Sequence, residues 1–166
     1  MEKTIKIHLK NKEIYKNKFN EENLSYDLRN YILEETKEIS NKQKIKFEIY
    51  TNFELVDTEK NKLVDMIRNN FGADISEIID ITWKNRIINF IILSIGIIFI
   101  LIYSALKNTL ISEFSLIIGW IFLGEAICNI LYKEVESKNK IAKRKQIVRA
   151  KILFNQKENY KNNLKI

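Results

Sequence analysis

The stretch "IINFIILSIGIIFILIYSALKNTLISEFSLIIGWIFLGEAICNILY", residues 87–132, decides how this chain is organised. Its first run, Ile87 to Leu106, is 20 residues without a charge. As a helix it would rise about 30 Å, the thickness of the hydrocarbon core of a bilayer. A second apolar run extends from Phe114 to Tyr132, and only "KNTLISE" separates the two. So short a linker turns the chain back antiparallel and leaves both flanks on one side of a membrane. The expected organisation is a segment 1–85, a transmembrane hairpin over 86–133 with spans 87–106 and 114–132, and a basic segment 134–166.

Charge orients the hairpin. Over residues 1–85 there are 15 Lys and Arg against 16 Asp and Glu, whereas over 133–166 there are 11 against 3. The basic excess therefore sits just beyond the second span. Lys84 and Arg86 precede the first span, Lys133 follows the second, and the linker offers only Lys107 against Glu113. Cationic flanks stay in the cytoplasm, so both termini are expected there. Trp83, Tyr103 and Tyr132 fall near span ends, where amphipathic rings prefer to sit. Lys138, Lys140, Lys143, Arg144, Lys145, Arg149 and Lys151 are expected to meet anionic lipid headgroups. The only aromatic residues in that segment past Tyr132 are Phe154 and Tyr160, too few for base stacking, which argues against a nucleic-acid partner.

The second span carries a carboxylate, Glu125, seven residues inside Tyr132, too deep for its short side chain to reach water unaided. Inserting it costs roughly 2.5–3.5 kcal/mol, which the surrounding Ile, Leu and Phe offset at about 0.3–0.6 kcal/mol each. Asn129 lies one turn further on the same helical face. Ser115, Gly119 and Ala126 lie beside that face and would allow another helix to approach closely. In the first span Asn89, Gly96 and Tyr103 recur every seven residues, and Asn89 falls at about the depth of Asn129. Three roles fit Glu125: a protonated acid fastening helices together, one member of a ring lining a cation path in an oligomer, or a proton relay.

The segment before the hairpin alternates and then turns helical. "TIKIHL" places Ile5, Ile7 and Leu9 on one side of a strand, and "IYKNKF" is expected to return antiparallel to it. Asn20 is expected to cap a helix carrying Leu24, Leu28, Tyr31, Ile32 and Ile39. "KIKFEIYTNF" alternates again. A second helix, capped by Asp57 or Thr58, carries Leu63, Val64, Ile67 and Phe71 and is expected to end at Gly72. The expected fold is thus an α+β domain of order β-β-α-β-α with a small, mostly antiparallel sheet. Residues 73–85 would join it to the membrane as a short strand or as a helix running straight on. Ile141, Val148 and Ile152 suggest that the basic segment is a helix, continuing the second span or lying on headgroups.

Several chemistries are excluded. One Cys (Cys128) and one His (His8) leave no disulfide framework or thiolate metal site within a chain. No Gly-rich phosphate loop, metal-binding His-Glu spacing or nucleophile motif is present, so no enzyme activity and no cofactor are expected. The opening "MEKTIKIHLKNKE" lacks the apolar run of a signal peptide, so no cleavage is expected.

The combination of "LVDMIRNNFGADISEII" (63–79), a hairpin containing "IIGWIFLGEAI" (117–127) and a basic segment resembles a group of small, uncharacterised bacterial two-helix membrane proteins. In architecture it is also similar to the two-helix membrane effectors of bacterial antiphage signalling. That resemblance implies a soluble sensing domain that controls membrane damage, acting in the bacterial inner membrane. The expected function is an oligomeric, pore-forming or membrane-perturbing effector with a cytosolic ligand or protein partner; the alternative is a membrane-anchored adaptor without transport. The topology can be checked directly. A reporter active only in the cytoplasm should work when fused at residue 1 or 166, and one active only outside should work when inserted at Asn108; the reverse pattern would refute the orientation.

Overall fold

The computed structural model describes residues 2–18, 20, 22–106 and 110–156. Along the chain run β1 (Glu2–Leu9), α1 (Tyr26–Lys37), β2 (Lys44–Thr51), α2 (Asp57–Ala105), α3 (Leu110–Val148) and β3 (Lys151–Gln156). They form two compact units. One comprises residues 1–75 together with 142–166, and the other residues 76–141.

The first unit is a three-stranded sheet of order β1-β2-β3 in which both pairings are parallel. In β1 the residues Ile5, Ile7 and Leu9 are buried; in β2 Ile45, Phe47, Ile49 and Thr51 are. The registers Ile5↔Phe47 and Phe47↔Ile152, with Ile7↔Ile49 and Ile49↔Phe154, align one apolar face across all three strands. Parallel neighbours need a long crossover, and α1 supplies the first. Ser25 caps α1 by accepting the Leu28 backbone N–H at 3.3 Å. Its Leu28, Ile32 and Thr36, one turn apart, are buried, and Thr36 satisfies its hydroxyl by donating to the Ile32 carbonyl at 2.8 Å. From α2 the stripe Leu63, Met66, Ile67 and Phe71 joins the same core, as do Ile147 at the end of α3 and Ala150. The opposite sheet face is polar, with Lys46 bonded to Glu48 and His8 stacked on Tyr50 at 5.0 Å.

This corrects the expected β-β-α-β-α order and its antiparallel sheet. Residues 14–18 form no return strand: they belong to a turn whose Lys16 makes an isolated antiparallel bridge to Leu24, while Phe19 lies outside the described residues. The cap is Ser25 rather than Asn20, and α2 runs through Gly72 instead of stopping there. The third strand lies beyond the hairpin, in the segment read as a basic helix, and it pairs with β2. Two physical features misled the reading. Parallel strands usually lie covered on both faces and read as continuous apolar runs, whereas these alternate as half-exposed antiparallel strands do. And β3 is too short and too distant from its partner to leave any local pairing signal.

The second unit is an antiparallel pair made by the latter part of α2 and the first part of α3. The expected spans 87–106 and 114–132 fall within these two helices. Both are long and apolar enough to cross a membrane, and only 11% and 17% of their most apolar windows is buried, so most of their Ile, Leu and Phe side chains are exposed in the single chain. Both helices continue without a break into the stretches that belong to the first unit. The hairpin is therefore an insertion in the second crossover of a parallel α/β sheet.

That arrangement distinguishes a split domain from an autonomous one. A fragment 1–85 lacks β3, Ile147 and Ala150, and is expected to be largely unfolded by circular dichroism. In the full chain, Ile147→Ala should lower stability by about 2–5 kcal/mol in thermal or denaturant unfolding, the range for truncating a buried Ile. A cooperative folded transition in 1–85 would show that the sheet does not depend on its last strand.

Candidate functional site

The hairpin is built on small residues. Asn89 and Gly96 from α2 and Ser112, Ser115, Gly119 and Ala126 from α3 are buried along the seam. At the crossing, a Cβ added to Gly96 would stand 3.0 Å from the Leu123 side chain and 3.2 Å from the Gly119 carbonyl oxygen. One added to Gly119 would stand 2.9 Å from Ile100 Cγ1 and 3.2 Å from the Gly96 carbonyl oxygen. The two backbones approach closely at these glycines, and any larger residue would require the facing side chain or backbone to shift. Phe99 and Phe122 stack beside them with ring centres 6.2 Å apart. The small-residue surface expected to receive another helix thus receives the other half of its own hairpin.

Glu125 lies off this seam. Its side chain is exposed in the single chain, flanked along α3 by the exposed Ile121, Cys128 and Tyr132. Asn129 Nδ2 donates to Glu125 Oε1 at 3.0 Å, so the two expected neighbours bond within one helix. Asn89 and Asn129 line the same small cleft between the helices, near Thr82 and Ser137. One amide satisfies part of one carboxylate oxygen. The rest of the Glu125 carboxylate is exposed on an apolar helix face, and among the described residues Asn129 is its one side-chain donor.

At the base of the hairpin the charges pair. Arg86 Nη2 lies 2.7 Å from Glu134 Oε1 across the two helices, and Lys138 Nζ lies 3.1 Å from the same oxygen. Lys138 and Arg86 together hold the Glu134 carboxyl below the ordinary carboxylate range. Lys140 pairs with Glu136 at 2.6 Å.

The remaining residues of the basic run fall in the α/β unit, and their roles diverge. Lys143 turns inward to donate to the Ile39 carbonyl and, at 3.3 Å, to Gln146 Oε1; burial lowers its amine below the usual lysine value. Arg144 reaches to 3.7 Å from Asp74, which Arg29 also grips with Nη2 at 2.9 and 3.0 Å. This joint of α1, α2 and α3 had no signature in the sequence, because its three members are far apart along the chain. Lys145, Arg149 and Lys151 are exposed and, among the described residues, take part in no ion pair. Among the described residues no group of three or more His, Cys, Asp or Glu converges to hold a metal ion.

Compared with known proteins, the chain matches no family, no curated protein and no solved structure.

The glycines give a paired test of the seam. Gly119→Leu should break the hairpin, seen as faster proteolysis and loss of a cross-link engineered between α2 and α3. Gly124→Leu should leave it intact, since nothing lies within 4 Å of a Cβ there. Equal effects of the two changes would show that the close crossing is not what holds the helices.

Proposed function

We propose that this protein is an oligomeric integral membrane protein of the bacterial inner membrane, in which the α/β unit controls a cation path lined by Glu125. The observation that carries the reading is the outward-facing Glu125, bonded to Asn129 on an otherwise apolar exposed helix. A carboxylate in that position requires water or donors from another copy of the chain, and two helices cannot enclose a pore alone. An oligomer brings the carboxylates of several chains to one axis and supplies both.

The α/β unit is suited to control such a path. Both hairpin helices are continuous with helices that pack in its core, through Leu63, Ile67 and Phe71 on α2 and Ile147 on α3. A rearrangement that shifts those side chains acts on the same two helices that contain the spans. The pairing of β2 with β3 also supports a two-crossing topology. Strands of one sheet occupy one aqueous compartment, so the chain between them crosses an even number of times. The cationic flanks favour the cytoplasm for that compartment.

Glu125→Gln separates charge from packing. It preserves shape and hydrogen bonding while removing the negative charge, so oligomer mass should be unchanged and cation preference in reconstituted bilayers should fall. Glu125→Leu should weaken assembly as well, by about 0.5–2 kcal/mol, the usual worth of an intramembrane polar contact. Unchanged selectivity in Glu125→Gln would remove the charged ring. No current from wild type, together with recruitment of a cytosolic protein to the membrane, would favour an adaptor.

A further inference from the structure

At the edge of the α/β unit where the strands begin, a cleft of about 650 Å³ opens between the last turns of α3 and the starts of all three strands. Five cationic side chains line it: Lys42 and Lys44 before and at the start of β2, Lys145 and Arg149 from α3 and the turn after it, and Lys151 at the start of β3. The single carboxylate in the lining is Glu2. None of the five cations takes part in an ion pair among the described residues, although carboxylates neutralise most of the other cations of the basic run. Two further clefts of the same unit, near Tyr26 and near Phe154, balance their charges: Lys16 and Lys18 face Glu13 and Asp27 in one, and Lys60 faces Glu54 in the other.

Like charges gathered around one concavity repel each other, and the repulsion is relieved by an anion held among them. The size falls within the range of small-molecule sites, about 300–1,000 Å³. The lining contains no aromatic residue, so nothing in it would stack on a nucleobase. What it offers is charge and donors: ammonium groups as point charges and the Arg149 guanidinium as a two-pronged donor, a set that matches the oxygens of a phosphate.

We propose that this cleft is a binding site for a multiply charged phosphate anion, either free in solution or displayed as a lipid headgroup. The strands come from both sides of the hairpin in sequence, so the site exists only when β3 has closed the sheet. A ligand held by Lys145 and Arg149 touches the end of α3 directly and links it to the start of β2.

The test uses the full-length protein in a neutral detergent at low ionic strength. Inorganic pyrophosphate and, separately, the soluble short-chain lipid dihexanoyl phosphatidic acid, whose headgroup is a phosphomonoester, are titrated calorimetrically. Arg149→Gln and Lys44→Gln should each weaken binding about tenfold or more, as expected for losing a charge-assisted phosphate contact. Lys62→Gln, a change on an exposed part of α2 away from the cleft, should alter it less than roughly twofold. Thermal unfolding of each variant verifies folding, and Lys42→Gln replaces any that unfolds. Binding of pyrophosphate alone assigns a soluble ligand; binding of the lipid alone assigns a headgroup. The proposal is overturned if neither binds wild type at about millimolar concentration. It is overturned equally if the cleft variants match Lys62→Gln, or if citrate binds as tightly as pyrophosphate. Binding is measured without any current, so the outcome is independent of the cation path.

Discussion

The pairing of β3 with β2 is the interaction on which the rest of this protein depends. It joins residues 151–156 to a strand that ends at Thr51, with the whole hairpin between them. Without it β2 would be an unpaired edge, and Ile152 and Phe154 would leave the sheet's apolar face open. With it, the hairpin becomes the crossover of a parallel sheet, and α2 and α3 each serve two purposes along their length. Their outer turns bury Leu63, Ile67, Phe71 and Ile147, while their middle turns present Ile and Leu to the surroundings.

The hairpin obeys a different constraint. In a bilayer the lipid tails would be as apolar as its side chains, so burial of apolar area would not hold the two helices together. Close backbone approach does so instead, at Gly96 and Gly119, reinforced by the Phe99–Phe122 stack and by Arg86–Glu134 beyond the second span. The seam takes Asn89, Gly96, Ser112, Ser115, Gly119 and Ala126 and leaves Glu125 outside it. Glu125 lies exposed outside the seam and accepts a hydrogen bond from Asn129 on its own helix.

The basic run shows how far linear charge can mislead. Seven cations from Lys138 to Lys151, over about three helical turns and the start of a strand, read as one membrane-facing surface, yet folding sorts them by partner. Lys138 and Lys140 meet acids one turn earlier on α3, Lys143 serves backbone carbonyls, and Arg144 reaches toward Asp74. Among the described residues Lys145, Arg149 and Lys151 take part in no ion pair, and they are joined by Lys42 and Lys44, which lie about a hundred residues earlier in the chain.

By itself the sequence determined what periodicity and local charge determine. Two long apolar runs separated by seven residues, the first without a charge and the second carrying only Glu125, point to a helical hairpin, because a helix satisfies its backbone hydrogen bonds within itself over that length. The alternation of Ile5, Ile7, Leu9 and of Ile45, Phe47, Ile49 meant strands, and the spacing of Leu28 and Ile32 meant a helix. The tertiary structure alone decided which strands pair, in which direction, and that a strand belonging to the N-terminal sheet lies beyond the hairpin. Pairing direction follows from the path of the connections rather than from the strands' own residues, since a parallel strand with one solvated face carries the same alternation as an antiparallel one. For the same reason the Asp74 joint, the glycine crossing and the basic cleft were invisible in one dimension: each is a contact between residues that only the closed sheet or the folded hairpin brings together.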